Sequence, residues 1–317
     1  MIDCDVSYSL NDTPRRTDVT NESERLAARF EEHRARLRAV AYRLLGSPSE
    51  ADDAVQEAWL RVSRSDADEV GNWGGWLTTI VARVALNMLR ARNARREETF
   101  GAHLPDPVVS PDDESQPEAQ AVLADSIGLA LLVVLDALNP AERLAFVLHD
   151  VFQLPFEEIA PIVERTPAAA RQLASRARRR VQGAEVPAQE ADRTRQRAVV
   201  NAFFAASRAG DFEGLLKLLH PNVVLRGDFG AKHARSAVIR GARAVIESAL
   251  MGAALPGATV IPALVNGAAG AVITVGGRPF VVMGFTVAAG RVVEIDAIAD
   301  PARVRRLAAP VLGLNAP

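Results

Sequence analysis

The sequence has few of the residues from which disulfide-linked, metal-binding and membrane proteins are built. Its 317 residues include one cysteine, Cys4, and five histidines, so no disulfide can form within the chain and no metal-ligand spacing occurs. No apolar run approaches the roughly 20 residues that a membrane helix requires. Residues 1–22 are polar, without the basic-then-apolar pattern of a secretory signal, and we interpret them as a disordered leader. We therefore expect a cytoplasmic protein with no metal or cofactor and no membrane contact.

Lysine is also scarce, and the abundant arginines are unevenly placed. Lys217 and Lys232 are the only lysines among 37 basic residues, and the net charge is −2. Residues 165–180 include six arginines and no acid, whereas residues 105–125 include six acids and no basic residue. These two blocks predict a nucleic-acid-binding face and an acidic connector.

The hydrophobic pattern divides the chain into helical and strand-rich parts. We predict the fold class as multidomain, with two all-α domains followed by an α+β domain, since the strands follow the helices instead of alternating with them. The predicted divisions are the leader, a helical domain, an acidic Pro-rich linker, a second helical domain, a short linker and the α+β domain, at residues 1–22, 23–97, 98–120, 121–183, 184–190 and 191–317. In the last part, valine-rich segments predict strands at 223–225, 259–265, 271–275, 280–287 and 292–298.

The strongest local pattern lies at residues 154–181 and predicts a helix-turn-helix. Thr166 caps the second helix and Pro167 occupies its first position. The polar side of this second helix carries Arg171, Gln172, Ser175, Arg176 and Arg179. Arginine can bond guanine bidentately and glutamine can bond adenine in the major groove. An ordinary helical hairpin with a solvated basic face is the alternative that the residues alone leave open.

Two weaker patterns precede it. The first is an acidic helix face formed by Asp52, Asp53, Gln56 and Glu57, for which a solvated face near a helix N-terminus is the better interpretation by chemistry alone. The second is a tryptophan segment and the helix after it, with candidate DNA contacts at Asn72, Trp73, Arg83, Asn87 and Arg90. We place Trp73 in a loop, where it could stack on an unpaired base. The alternative is that Trp73 and Trp76 are core residues, which is the better interpretation for Trp76.

The order of these patterns resembles that of the extracytoplasmic-function (ECF) sigma factors. Residues 51–60, ADDAVQEAWL, resemble the second conserved region of that family, and residues 76–83, WLTTIVAR, resemble its promoter-melting segment. Residues 137–143, ALNPAER, and the helix-turn-helix resemble its region 4. The resemblance covers residues 24–182.

Further motifs are similar to those of the SigJ-like group, whose members carry a fused C-terminal domain of the SnoaL-like, NTF2-related fold. The linker motif of Leu104, Pro105, Asp106 and Pro107 resembles the group's W/Y-L-P-E-P sequence. Residues 228–232, DFGAK, stand where the group has D-G-G-G-K, and residues 300–303, DPAR, where it has N-P-D-K. The C-terminal regulatory motif is therefore assigned to Asp228, Gly230, Lys232, Asp300 and Pro301.

The resemblance implies a role for each surface. Asp52, Asp53, Gln56 and Glu57 would dock on the β′ clamp helices of core RNA polymerase, whose β flap is a further partner. Asn72, Trp73, Arg83, Asn87 and Arg90 would bind the −10 element, and Arg171, Gln172, Ser175, Arg176 and Arg179 the −35 element. The C-terminal domain would contact the two sigma domains and their linker and regulate them in cis, so that regulation would not require a separate anti-sigma protein.

Two other functions remain as alternatives. One is a polymerase-independent helix-turn-helix regulator whose C-terminal domain senses a ligand. The other is an enzyme of the SnoaL fold, for which the candidate residues are His220, Asp228, Lys232, His233 and Asp296. An acid–base pair with perturbing surroundings is not evident among them, and Asp228 and Lys232 fit a surface ion pair instead, so we expect no catalytic activity.

Overall fold

The structure, a computed structural model, describes residues 16–65, 70–96, 104–112, 128–184, 189–230 and 237–314. Within these ranges two helical domains precede a domain in which helices cover a mixed sheet, as the sequence predicts. Residues 1–15 of the predicted leader lie outside the described residues. So do residues 98–103 and 113–120 of the linker, and Lys232 and His233.

The first helical domain consists of α1 (Arg16–Leu45), α2 (Pro48–Val62) and α3 (Trp73–Arg96). The apolar stripe of α2 is buried against its neighbours and is formed by Ala51, Ala54, Val55, Ala58 and Val62. The first helix begins inside the segment predicted to be a disordered leader. Residues 17–21, TDVTN, are weak helix formers, so the local sequence did not indicate that α1 would extend through them.

The second helical domain contains α4 (Leu129–Asp136), α5 (Pro140–Phe146), a π-helical segment (Val147–Val151), α6 (Phe156–Val163) and α7 (Pro167–Gly183). Helices α6 and α7 form the predicted helix-turn-helix. Glu164 supplies the turn with φ of 57°, a left-handed conformation that glycine adopts more easily. The Thr166 hydroxyl oxygen accepts a hydrogen bond from the Ala169 amide at 3.3 Å, which confirms the predicted cap.

The two helical domains share one core. Leu89 of α3 and Leu132 of α4 belong to the same continuous cluster of buried side chains. Helix α3 packs against both α5 and α6. The domains therefore lie side by side in a closed arrangement.

The C-terminal domain is built from helices on both faces of a sheet. Helices α8 (Arg193–Ala209), α9 (Phe212–Leu218) and α10 (Ala242–Ala253) pack on the inner face, and α11 (Pro301–Leu312) packs on the outer face. The strands are β1 (Val109–Pro111), β2 (Leu219–Asp228), β3 (Ala237–Arg240), β4 (Ala258–Val265), β5 (Ala268–Val275), β6 (Arg278–Ala288) and β7 (Arg291–Ile298).

The order of the strands in the described part of the chain is β1-β4-β5-β6-β7-β2-β3. Only the pair of β2 and β7 is parallel within this sheet, and the remaining neighbours are antiparallel. All five strands predicted from the valine-rich segments are present, whereas β3 and α11 were not predicted.

The linker is not a free connector where the structure describes it. Its residues 104–108 are buried, and β1 joins the C-terminal sheet as an edge strand, with Val109 opposite Val265 and Pro111 opposite Ala263. The described segment is extended, as the sequence predicts, but it is packed and paired with the C-terminal sheet. Main-chain hydrogen bonds and tertiary packing order this segment, and neither produces a periodic sequence pattern.

Candidate functional site

The candidate DNA-reading face of α7 is a single polar stripe. Its predicted members are Arg171, Gln172, Ser175, Arg176 and Arg179, of which Ser175 is half-buried and the others are exposed. The opposite face is buried through Ala170, Leu173, Ala174 and Ala177. The Arg171 guanidinium lies 5.2 Å from the ring centroid of Phe156, the first residue of α6, which positions it against that helix. Several cationic and amide side chains thus project from the same side of α7.

Ion pairs within the domain engage part of the basic stripe. Arg176 and Arg180 each donate to the carboxylate of Glu142 on α5, at 2.9 Å. Glu142 is buried, and the Arg176 side chain is 49% exposed. Arg176 therefore fixes α7 on α5 as well as facing solvent.

The acidic face of α2 is exposed at all four predicted positions, Asp52, Asp53, Gln56 and Glu57. Arg38 of α1 donates two hydrogen bonds to the Asp52 carboxylate, at 2.5 and 2.9 Å. Glu57 pairs with Arg61 one turn later at 3.1 Å. Asp53 and Gln56 lie between these pairs on the surface, where a basic partner could reach them.

Trp73 is the first residue of α3 and not a loop residue. The Asn72 side-chain oxygen accepts a hydrogen bond from the Gly75 amide at 3.0 Å, so Asn72 caps the helix. The Trp73 ring is half-buried, 5.4 Å from the ring of Trp76 and 5.0 Å from the Arg29 guanidinium. The loop assignment was wrong because glycines at 74 and 75 suggested a turn, while the Asn72 cap begins a helix before them.

The other candidate −10 residues, Arg83, Asn87 and Arg90, lie one turn apart along one exposed side of α3. Arg90 also pairs with Glu164 of the helix-turn-helix at 3.5 Å. Both side chains are exposed, so water and salt screen this pair and it contributes at most about 1 kcal/mol. The pair places the turn of the helix-turn-helix beside the candidate −10 surface.

Stronger polar contacts join the helical domains at Asp136. Its carboxylate accepts from buried Arg143 at 3.0 Å and from Arg92 of α3 at 3.1 Å. Arg143 also donates toward the Arg43 carbonyl oxygen of α1, at 3.3 and 3.4 Å. These arginines donate to main-chain and carboxylate oxygens of both domains. The closed arrangement is therefore held by specific hydrogen bonds as well as by the shared hydrophobic core.

The linker motif is held by α11 through a cluster that we call the linker clamp, formed by Asp106, Asp228, Arg303 and Arg306. Arg303 donates to Asp106 at 2.7 Å, to Asp228 at 2.5 Å and to the Leu104 carbonyl oxygen at 2.6 Å. Arg306 donates to the second oxygen of Asp106 at 2.6 Å. Both carboxylates are buried, with Asp106 7% and Asp228 2% exposed.

The other side of the linker is bonded to the first helical domain and to the β4–β5 turn. The Asp106 amide donates to the Gly46 carbonyl oxygen at 2.8 Å. Asn266 accepts from the Val108 amide at 2.7 Å and from the Tyr42 hydroxyl at 2.9 Å. Burial raises the pKa of Tyr42, so its hydroxyl stays a donor. Residues from three parts of the chain thus meet at this motif.

The predicted C-terminal motif is only partly a surface feature. Asp228 was expected in a surface ion pair but is buried, and its carboxylate accepts from Arg303, from the Leu104 amide at 2.9 Å and from the Gly230 amide at 3.0 Å. Asp300 caps α11 by accepting from the amides of residues 302 and 303 at 3.1 and 2.9 Å.

Several residues of this junction were missed by the sequence analysis, namely Tyr42, Asn266 and Arg306. Each is joined to its partners across long stretches of chain, so no local spacing marks it. Asn266 alone carried a local signal. It is left-handed at the tight β4–β5 turn, and asparagine is favoured at such positions.

The C-terminal cone contains a cavity of about 490 Å³. Among the described residues that line it there is no Asp, Glu or His. Of the candidate catalytic residues, Asp228 belongs to the linker clamp and His220 is exposed. Asp296 lies in the sheet beside Arg226, at 3.1 Å, and burial raises its pKa to about 6.

The described ranges contain no group of three or more His, Cys, Asp and Glu side chains that could hold a metal ion. Nor do they contain a helix that is long and apolar enough to cross a membrane.

Comparisons with known proteins agree with this architecture. Residues 29–95 match the family described as Sigma-70 region 2, and residues 128–181 match Sigma-70, region 4. The chain is 43% identical to the ECF RNA polymerase sigma factor SigJ of Mycobacterium tuberculosis over 249 residues, covering 76% of this chain and 79% of that protein. It is 31% identical to the probable ECF sigma factor SigI of the same species, covering 92% and 99% of the two chains.

The solved structures include a similar fold over most of the chain. The crystal structure of M. tuberculosis SigJ covers 87% of this chain and 97% of its own, with a TM-score of 0.69 and 36% identity. The C-terminal helices and mixed sheet agree with the α+β fold class that was expected from the sequence. With two sigma regions matched and high identity to SigJ across most of both chains, the chain belongs to the ECF RNA polymerase sigma factors.

Proposed function

We propose that this sigma factor directs core RNA polymerase to promoters with −35 and −10 elements, and that its linker clamp restrains it in a closed state. The observation that carries the proposal is the position of Asp106. One short linker segment is bonded to the first sigma domain on one side and to Arg303 and Arg306 of the C-terminal domain on the other.

Each exposed surface has a defined part in this function. The α2 residues Asp52, Asp53, Gln56 and Glu57 dock on the β′ clamp helices, and polymerase contact extends to the β flap. The α3 side with Asn72, Trp73, Arg83, Asn87 and Arg90 binds the −10 element. The α7 stripe with Arg171, Gln172, Ser175, Arg176 and Arg179 reads the −35 element in the major groove. The protein works in the cytoplasm, where polymerase and promoter DNA are found.

The close packing of the two sigma domains is a reason to propose that the free protein is restrained from binding both promoter elements. Elements centred about 25 base pairs apart are separated by about 85 Å along B-form DNA, at 3.4 Å per base pair. In the closed state the helix-turn-helix contacts α3, with Arg90 and Glu164 at 3.5 Å. The two sigma domains must therefore separate before both elements can be bound at once.

The C-terminal domain controls that separation in cis without catalytic turnover. Its sheet takes in β1 and its α11 arginines hold the linker that connects the two sigma domains. Because this restraint is part of the same chain, control does not require a separate anti-sigma protein.

Run-off transcription tests the promoter-directing function. The full chain is added to core polymerase on promoter-bearing genomic fragments and compared with core polymerase alone. We expect discrete transcripts only with the sigma factor. Asp53→Lys should reduce them strongly, because it reverses a charge on the docking face, whereas the exposed control Glu213→Lys on α9 should not.

A polymerase-independent regulator would give a different result. It would bind specific DNA without core polymerase and yield no new transcript with it. That outcome, with folded protein, would overturn the proposal.

A further inference from the structure

The cavity in the cone is large enough for a small-molecule ligand and is mostly apolar. It lies between α8, α10 and the inner face of the sheet, and its walls include Phe203, Phe204, Val260, Ile273, Met283 and Ala297. Its volume of about 490 Å³ falls in the range of roughly 300–1,000 Å³ that is usual for small-molecule sites. An apolar surface of this shape gains free energy when a hydrophobic molecule displaces water from it.

The polar groups of the cavity are few and define what could bind there. Ser207, Ser248 and Arg208 are the only polar side chains among the described residues that line it, and Ser207 donates to the Phe203 carbonyl oxygen at 2.8 Å. Arg208 is exposed, so it lies where the cavity meets solvent. A single cation at the edge of an apolar cavity fits a hydrophobic molecule that carries one anionic group.

The rim of the cavity presents large apolar side chains to solvent. Phe229, Leu255 and Phe280 line the cavity and are 40%, 38% and 46% exposed. A ligand that reached the rim would cover these side chains, which adds to the area buried on binding.

Two walls of the cavity are continuous with the linker clamp. Gly227 and Phe229 line the cavity on either side of Asp228 in the sequence. Ala299 and Pro301 line it on either side of Asp300, which caps the helix that carries Arg303.

The two walls are also bonded to each other. The Ala299 amide donates to the Asp228 carbonyl oxygen at 2.7 Å. Gly230, with φ of 81°, lies against the Asp300 carboxylate where a Cβ would collide with it. A Cβ at Gly227 would lie only 2.9 Å from the Phe229 ring. Movement of the clamp residues therefore moves the cavity walls.

We propose that the cavity binds a hydrophobic small molecule with one anionic group, such as a medium-chain carboxylate, and that binding strengthens the linker clamp. The cavity is formed while the clamp is closed, so the ligand has its higher affinity for that state and shifts the equilibrium toward it. The binding step stands independently, whereas its effect on transcription rests on the proposed restraint.

Binding is tested on the full chain with 1-anilinonaphthalene-8-sulfonate, a hydrophobic anion that fluoresces in apolar sites. We expect saturable binding of one molecule, competed by decanoate. Ala249→Trp on α10 fills the cavity and should abolish binding, whereas Ala202→Trp on the exposed side of α8 should leave it unchanged. Arg208→Gln, at an exposed position, should weaken binding by up to about fivefold.

Coupling is tested by hydrogen exchange of residues 104–112 with and without decanoate. At decanoate ten times its Kd, the linker amides should exchange up to about tenfold more slowly, since a ligand lowers the open population by the factor 1 + [L]/Kd. Equal dye binding by wild type and Ala249→Trp, or unchanged exchange at saturation, would overturn the inference. Neither measurement requires polymerase, so failure here is distinguishable from failure of the proposed function.

Discussion

The Asp106 carboxylate accepts hydrogen bonds from two arginines of α11, which follows it by almost the length of two domains in the sequence. Arg303 and Arg306 contact its separate oxygens, and the main chain of Asp106 bonds to Gly46. Removal of one partner from a buried charge cluster costs about 3–5 kcal/mol in other proteins, because the remaining charge is left without compensation. The linker clamp should therefore be sensitive to single substitutions.

Arg303→Ala should release the linker and raise run-off transcription by severalfold at limiting sigma factor. Among the described contacts, the substitution leaves the Asp106 carboxylate with Arg306 as its one arginine partner and removes the side chain that joins Asp106 to Asp228. Arg305→Ala, an exposed position on the same helix, is the matched control and should transcribe like wild type. A folded Arg303→Ala protein with equal or lower activity would contradict restraint by the clamp.

The buried carboxyl group of Asp296 should make the stability of the folded protein fall as the pH rises, which is unusual for an aspartate. Burial raises its pKa to about 6 even though Arg226 lies beside it, since Glu294 shares the same guanidinium. The folded state therefore holds a proton between about pH 4 and pH 6 that the unfolded state releases, and this contribution to stability is lost as the pH rises through that window.

Asp296→Asn should remove the loss of stability that wild type shows as the pH rises. Between pH 4 and pH 7, the free energy of unfolding of the variant should rise relative to wild type by up to about 3 kcal/mol. The folded-state pKa of Asp296 is roughly two higher than its ordinary value, and a pKa difference of one corresponds to about 1.36 kcal/mol. Urea unfolding at several pH values measures the difference. A constant difference across that range would show that Asp296 is ionised throughout in the folded protein.

At the scale of elements, the β4–β5 turn fixes where β1 and the linker attach. Asn266 is left-handed, with φ of 50°, and its buried side chain accepts from Val108 and Tyr42. A glycine would keep the backbone conformation and lose both side-chain hydrogen bonds.

Asn266→Gly should weaken the attachment of the linker by about 2 kcal/mol, from two hydrogen bonds of about 1 kcal/mol each. Hydrogen exchange of residues 104–112 should accelerate, while that of α2 stays the same. Ala289→Gly is the control, because Ala289 also has φ of 50° but lies at the β6–β7 turn. If both variants accelerated exchange in the linker equally, the side chain of Asn266 would not be the cause.

Elements with strong local patterns were predictable from the sequence, and those ordered by distant contacts were not. The apolar stripe of α2, the cap at Thr166 and the valine-rich strands all follow from short-range spacing. Strand β1 owes its structure to pairing with β4, far away in sequence. The candidate DNA and polymerase residues were chosen from the sequence and lie on exposed faces, Trp73 and Ser175 half-buried, and their roles remain predictions.

At the scale of the whole molecule, the sequence predicted the three domains but not how they pack. The family resemblance was confirmed by the identity to SigJ and by the two Sigma-70 regions. The shared core of the helical domains depends on Asp136, Arg92 and Arg143, whose pairing no motif indicates. The two sigma domains are packed together in the structure, and we expect them to separate on the promoter.

The most direct test is the distance between the two sigma domains during initiation. Spin labels at Asn93→Cys and Arg165→Cys, in a Cys4→Ser background, place one probe on α3 and one in the helix-turn-helix turn, both at exposed positions. Pulsed dipolar spectroscopy of the free protein should give one short distance. In the transcribing complex with core polymerase and promoter the distance should lengthen by tens of ångströms, since the two elements lie about 85 Å apart. An active complex that retains the short distance would contradict the account.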